Sequence, residues 1–173
     1  NFDGFNDTLQ SKYRFVTPGR LTLSAAYVFD KLGFLSIDLE RVNTATAGLA
    51  PRNDVYLFTE ENIQIKESYK PVFNVRIGGE LTYGKYRFRA GYALMPSTVK
   101  TNSAAQTAQF NQNFYTAGIG YYEKNYSLSA ALMLTSSNVN YQVYDLQLAS
   151  SPPPVQVKNN FFTFQFGATV VVD

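Results

Sequence analysis

The sequence predicts an all-β protein made of antiparallel strands of a transmembrane β-barrel. Three observations lead there: apolar and polar residues alternate with a period of two along much of the chain, connections alternate between short and long, and each short one is flanked by tyrosine or phenylalanine. A period of two marks a strand whose faces meet different surroundings. Strands of about ten residues, tight turns on one side, long loops on the other and aromatics at an interface together describe an outer-membrane barrel. A soluble antiparallel sheet with one face on a protein core shares the alternation and is the competing reading.

Taken in order, residues 1–19 begin polar and turn-rich and then give Tyr13-Arg14-Phe15-Val16 before Thr17-Pro18-Gly19. This reads as an incoming loop, or as a short strand stopped by the proline. The first hairpin follows. Residues 20–29 alternate Leu21, Leu23, Ala25, Tyr27 and Phe29 with Arg20, Thr22, Ser24 and Ala26, the chain turns at Asp30-Lys31, and residues 32–42 return with Leu35, Ile37 and Leu39 against Ser36, Asp38 and Glu40. Residues 43–70 break the pattern, and Glu60 to Tyr69 suits a short helix or an irregular excursion. A connection of this length signals function or disorder.

The central hairpin is the clearest. In residues 71–83, Phe73, Val75, Ile77, Leu81 and Tyr83 alternate with Asn74, Arg76, Glu80 and Thr82; after Gly84-Lys85, residues 86–95 set Tyr86, Phe88, Ala90 and Tyr92 against Arg87 and Arg89. The third hairpin covers 113–122 and 125–135 around Glu123-Lys124-Asn125, with Tyr121 and Tyr126 beside the turn. A further extended stretch is expected at 139–148, ahead of a Ser-Ser-Pro-Pro-Pro segment that favours polyproline geometry. The last strand, 160–172, alternates Phe162, Phe164, Phe166, Ala168 and Val170 with Thr163, Gln165, Gly167 and Thr169. Seven strands plus that eighth stretch form a single domain over 1–173. An odd count places the start of the first strand and the end of the last on opposite sides, so at least one strand is expected upstream of Asn1, and a residue such as Phe is expected after Asp173.

Composition sets limits. Aromatics make up 16% of the 173 residues, all Tyr or Phe, and no run reaches the roughly 18 apolar residues of a membrane helix. A chain of this kind spans a membrane only as a closed set of strands. The net charge of +2 is spread along the chain, which argues against nucleic acid. No cysteine is present, a weak fit to an oxidising envelope compartment. No histidine is present either, which removes the usual base of Ser-His-Asp triads and Cys-His pairs and the usual zinc ligand. Asp38 and Glu40 share a strand face, yet nothing forms a catalytic constellation around them. The chain is read as no enzyme, with no cofactor and no metal.

The candidate site is the polar face: Asp38, Glu40, Arg76, Glu80, Arg87 and Arg89, where Arg76 or Glu80 can meet Arg87 or Arg89 across neighbouring strands. These groups line a lumen either as ion pairs that hold the wall together or as an arginine that grips a substrate carboxylate. The aromatic set at the lipid interface is Tyr27, Phe29, Tyr83, Tyr86, Tyr121 and Tyr126.

The run from Thr17-Pro18-Gly19-Arg20 through Leu-Thr-Leu-Ser-Ala-Ala-Tyr-Val-Phe-Asp-Lys-Leu-Gly-Phe-Leu-Ser-Ile-Asp-Leu-Glu, with Asn74-Val-Arg-Ile-Gly-Gly-Glu-Leu and Phe88-Arg-Ala-Gly-Tyr-Ala, resembles the carboxy-terminal half of the FadL, OmpP1 and TodX outer-membrane transporters in their Bacteroidetes forms. The resemblance covers most of the chain and implies a fourteen-stranded barrel in the bacterial outer membrane. Such a barrel takes up hydrophobic compounds, long-chain fatty acids among them, with no chemical step. It implies outer-membrane lipid, a hydrophobic small molecule and the rest of the barrel upstream of Asn1 as partners. It also implies periplasmic short turns, extracellular long loops, and an amino-terminal hatch lying outside these residues. Two other functions fit the residues alone: a structural or adhesive barrel acting through 43–70 and 136–160, or a soluble lipocalin-like binder of a hydrophobic ligand.

Overall fold

The computed structural model describes residues 13–52, 57–100, 110–141 and 155–171. Seven of its nine strands form one antiparallel sheet: β2 (Arg20–Val28), β3 (Gly33–Asn43), β5 (Pro71–Tyr83), β6 (Tyr86–Met95), β7 (Phe110–Tyr122), β8 (Tyr126–Tyr141) and β9 (Val155–Val170). Each strand pairs with the next in sequence. Among the described residues β2 and β9 have one partner each, so the sheet has two edges.

The alternation of the sequence becomes two faces of this sheet, because register keeps like beside like. Ile37 stands opposite Ile77, which stands opposite Tyr92; Leu81 stands opposite Phe88, and Phe88 opposite Ile119. One residue of slip would send every one of these side chains to the other face. Turn chemistry fixes the register. Gly84 has a φ of 58°, the positive value that a II′ hairpin requires at its first central position. At the first hairpin Asp30 and Gly33 have φ of 46° and 145°. Gly33 lies so close to β5 that an added Cβ would sit 1.9 Å from the Glu80 carbonyl oxygen.

The central hairpin, 71–83 and 86–95, has the bounds expected from its pattern. Elsewhere strands run past the apolar band. β7 begins at Phe110 rather than 113, β8 continues to Tyr141, and β9 starts at Val155 and ends at Val170, rather than covering 160–172. The stretch expected at 139–148 is, for its first residues, the end of β8; residues 142–148 lie outside the described residues.

The loop ends are more built than the sequence indicated. β1 (Tyr13–Val16) forms where a loop was expected and pairs with β4 (Gly48–Pro51), carrying the β2–β3 ladder on beyond Pro18. A 3-10 turn at Thr44–Thr46 absorbs the unequal chain lengths there. The ambiguous segment is a helix, α1 (Thr59–Ser68), tied to β4 by the Asn62 amide, which accepts from the Leu49 N–H and donates to the Leu49 carbonyl, both at 2.8 Å. Tyr69 bridges to Val99, with the Lys70 and Lys100 N–H groups donating to the Thr98 and Ser68 carbonyls at 2.8 Å.

The buried apolar side chains among the described residues, Val42, Phe58, Val72 and Val99, are few and lie at this loop end. Over the rest of the sheet the apolar face is uncovered, reaching 81% exposure at Phe166. No helix among the described residues is long and apolar enough to cross a membrane.

Candidate functional site

Antiparallel register brings the predicted charges together on the polar face. Glu80 stands opposite Arg89, and Thr82 opposite Arg87. Arg87 Nη1 donates to Glu80 Oε1 and Arg89 Nε to Glu80 Oε2, each at 2.7 Å, so one carboxylate holds two guanidinium groups. The Glu80 side chain is only 9% exposed, against 40% and 44% for its two partners. Arg89 Nη2 also donates to the Tyr122 hydroxyl at 3.0 Å, and both guanidinium carbons lie over the Tyr122 ring, at 4.9 Å for Arg87 and 5.8 Å for Arg89. Gly120 and Gly118, opposite Arg87 and Arg89, carry no side chain to compete for that space.

A second cluster centres on Glu40. Its Oε2 accepts from Asn74 Nδ2 at 3.0 Å and from Arg76 Nη2 at 3.5 Å, and Arg20 Nη1 lies 3.7 Å from Oε1. Arg76 therefore turns to Glu40 rather than to the arginines of β6. Asp38 stands opposite Arg76 in register yet makes no hydrogen bond or ion pair among the described residues.

Tyr122, Arg20 and Asn74 belong to these clusters although the sequence reading did not single them out. Tyr122 continues the polar series of Thr116, Gly118 and Gly120, and that parity was the available signal. The charges also divide the face. Arg20, Asp38, Glu40, Arg76, Glu80, Arg87 and Arg89 all lie on β2 to β6, whereas the same face of β7 to β9 carries uncharged residues such as Thr116, Ser129, Met133 and Gln165.

The predicted interface aromatics lie together at the short-turn end of the apolar face. Tyr83 faces Tyr86 in register, Tyr86 and Tyr121 have ring centroids 5.2 Å apart, Tyr121 and Tyr126 6.0 Å, and Tyr27 and Phe29 4.8 Å. Beside them, in the turns, Lys85 pairs with Glu123, whose Oε2 also accepts from the Tyr121 hydroxyl at 3.0 Å. Hydrogen bonding to Lys85, then to Tyr121, holds the Glu123 carboxyl below its ordinary range, and the same carboxylate raises Lys85. A second ring pair missed from sequence, Tyr92 and Tyr115 at 5.2 Å, lies nearer the loop end, with the Tyr92 hydroxyl donating to Asn113 Oδ1 at 2.8 Å.

Chemically, the polar face offers fixed guanidinium and carboxylate groups and hydroxyls. No group of three or more Asp, Glu, His or Cys suited to a metal is present among the described residues. Compared with protein-family models, with curated proteins and with solved structures, the chain matches none.

Proposed function

We propose that this sheet is part of the wall of a bacterial outer-membrane β-barrel through which hydrophobic compounds, long-chain fatty acids among them, pass without chemical change. The observation that carries the reading is the contrast between the faces. Phe162, Phe164 and Phe166 are each more than 60% exposed, whereas the opposite face gathers most of its charged groups into two ion-paired clusters. Water opposes the first arrangement and hydrocarbon accepts it. The apolar row of β8 from Tyr126 to Leu134 extends about 27 Å at ~3.4 Å per residue. Tilted by ~40°, it spans about 20 Å, near the ~25 Å band of such barrels. The tyrosine cluster at the short-turn end then marks the periplasmic interface, and the β1–β4 ladder and α1 project outside the cell.

Strand direction supports a larger barrel. The first and last strands of a seven-stranded antiparallel meander run the same way, so closing β9 to β2 with antiparallel pairs needs an odd number of additional strands. A fourteen-stranded barrel like that of the FadL, OmpP1 and TodX transporters supplies seven. A structural or adhesive barrel is the second reading, favoured by the ordered loop-end ladder and its exposed Tyr13 and Phe15.

The test is fractionation of the source cell followed by gel migration with and without boiling. Recovery in the outer-membrane fraction, with a heat-dependent shift of a band well above 19.4 kDa, is the expected result. A protein that stays in the aqueous fraction ends the membrane reading. A shifting band at 19.4 kDa favours the structural barrel.

A further inference from the structure

The polar face has a hollow of about 280 Å³ beside the Glu40 cluster. Its floor is nearly bare because Gly78 and Gly91 are register partners and Ala93 lies next to them. On one side stand Ser36, Asp38 and Arg76; on the other stand Phe114 and Thr116. Arg76 and Phe114 are two strands apart, about 10 Å at ~4.8 Å per strand, which leaves a slot for one small ring between their side chains.

Several of the groups around this hollow have unused hydrogen-bonding capacity. Asp38 accepts nothing among the described residues. Arg76 has one long contact, 3.5 Å to Glu40, out of the five N–H donors of a guanidinium. The Thr116 hydroxyl oxygen lies over Gly91, 2.7 Å from where a Cβ would be. A ligand that fits presents a donor to Asp38, an acceptor to Arg76 and an apolar surface to Phe114 and the glycine floor. Arg20 and Arg76 balance Asp38 and Glu40, so the hollow has no net charge with which to draw an ion.

The geometry points to a subsite for a neutral polyhydroxylated ring, that is, a hexopyranose. Its hydroxyls both donate and accept, and its C–H face lies flat on an aromatic ring or a bare backbone. The inference does not depend on the sheet spanning a membrane. The sugar ring comes either free in solution or as the head of a glycolipid, and both present the same chemistry.

Saturation-transfer NMR on the full-length protein in dodecyldimethylamine-oxide micelles, with methyl glucoside and hexyl glucoside as probes, tests the site. The expected result is transfer to the ring protons with a Kd on the order of 1 mM, weakened about tenfold in Asp38→Asn and in Gly78→Ala. The first variant keeps the shape of the side chain. The second places a methyl in the hollow where the nearest atom would be 3.8 Å away, so both retain the fold, checked by far-ultraviolet circular dichroism. Phe164→Ala, on the opposite face, leaves binding unchanged. Tighter binding of hexyl than of methyl glucoside, with the gain lost in Gly78→Ala, identifies a glycolipid head; equal binding identifies a free sugar. Folded protein that shows no transfer, or transfer that both variants leave unchanged, overturns the subsite and leaves the channel reading as it stands.

Discussion

Glu80 sits where the neighbouring strand β6 offers it two guanidinium groups, and it takes both. Alternation alone placed Glu80, Arg87 and Arg89 on one face, so that much was legible in the sequence. Which acid meets which base was not, because pairing depends on register: Arg76 has Ala93 opposite it on β6, four residues from Arg89, and its acid is Glu40 on β3. Tyr122 was overlooked because two tyrosines in succession belong to opposite faces, and only the first was assigned a role. Replacing Glu80 by Gln keeps the shape and leaves two guanidinium groups side by side without their counter-charge. Since both arginines are partly hydrated, the expected loss is about 1–3 kcal/mol, read as a lower urea midpoint for the folded form. An unchanged midpoint means that water alone satisfies the arginines.

At the scale of the element, turns carry more of the specification than strand propensity does. Strand cores were readable from alternation, and the central hairpin was placed to the residue. Strand ends were not, since beyond the apolar band the alternation changes phase: in β9 Val155 and Val157 fall on the face of Thr163 and Gln165, and β7 and β8 run on into Asn, Gln and Ser. Brevity left β1 open between loop and short strand, and the lack of an apolar stripe left α1 open between helix and irregular chain. Gly33 and Gly84 look alike in sequence but differ in what surrounds them. An added Cβ at Gly84 meets nothing within 4 Å, so Gly84→Ala pays only for its positive φ, about 1–2 kcal/mol. Gly33→Ala must push β3 away from the Glu80 carbonyl, and it is expected to cost well over ~3 kcal/mol or to prevent folding. Heat-modifiable gel migration compares the two, and equal effects would contradict the close approach of β3 to β5.

Across the whole molecule, the proposed barrel wall requires a different solvent at each face of the sheet, and that requirement can be measured. Leu132 lies within the apolar row of β8, between Ala117 and Phe164. If that row meets lipid, Leu132→Arg destabilises by about 2–4 kcal/mol in a bilayer. If it meets water, the change is within ~0.5 kcal/mol. Refolding into liposomes under a denaturant gradient separates the outcomes.

The unbroken neighbour-to-neighbour order of the strands bears on how such a sheet is made and altered. Each strand of the sheet pairs with the one before it, so assembly proceeds by adding one hairpin to the edge of the last, each hairpin closed by a tight turn and joined to its predecessor by a longer loop whose closure cost grows only slowly with length. Each hairpin enters and leaves on the same side of the sheet. Gene duplication or loss of one hairpin therefore widens or narrows the sheet by two strands while preserving strand direction, face and register everywhere else.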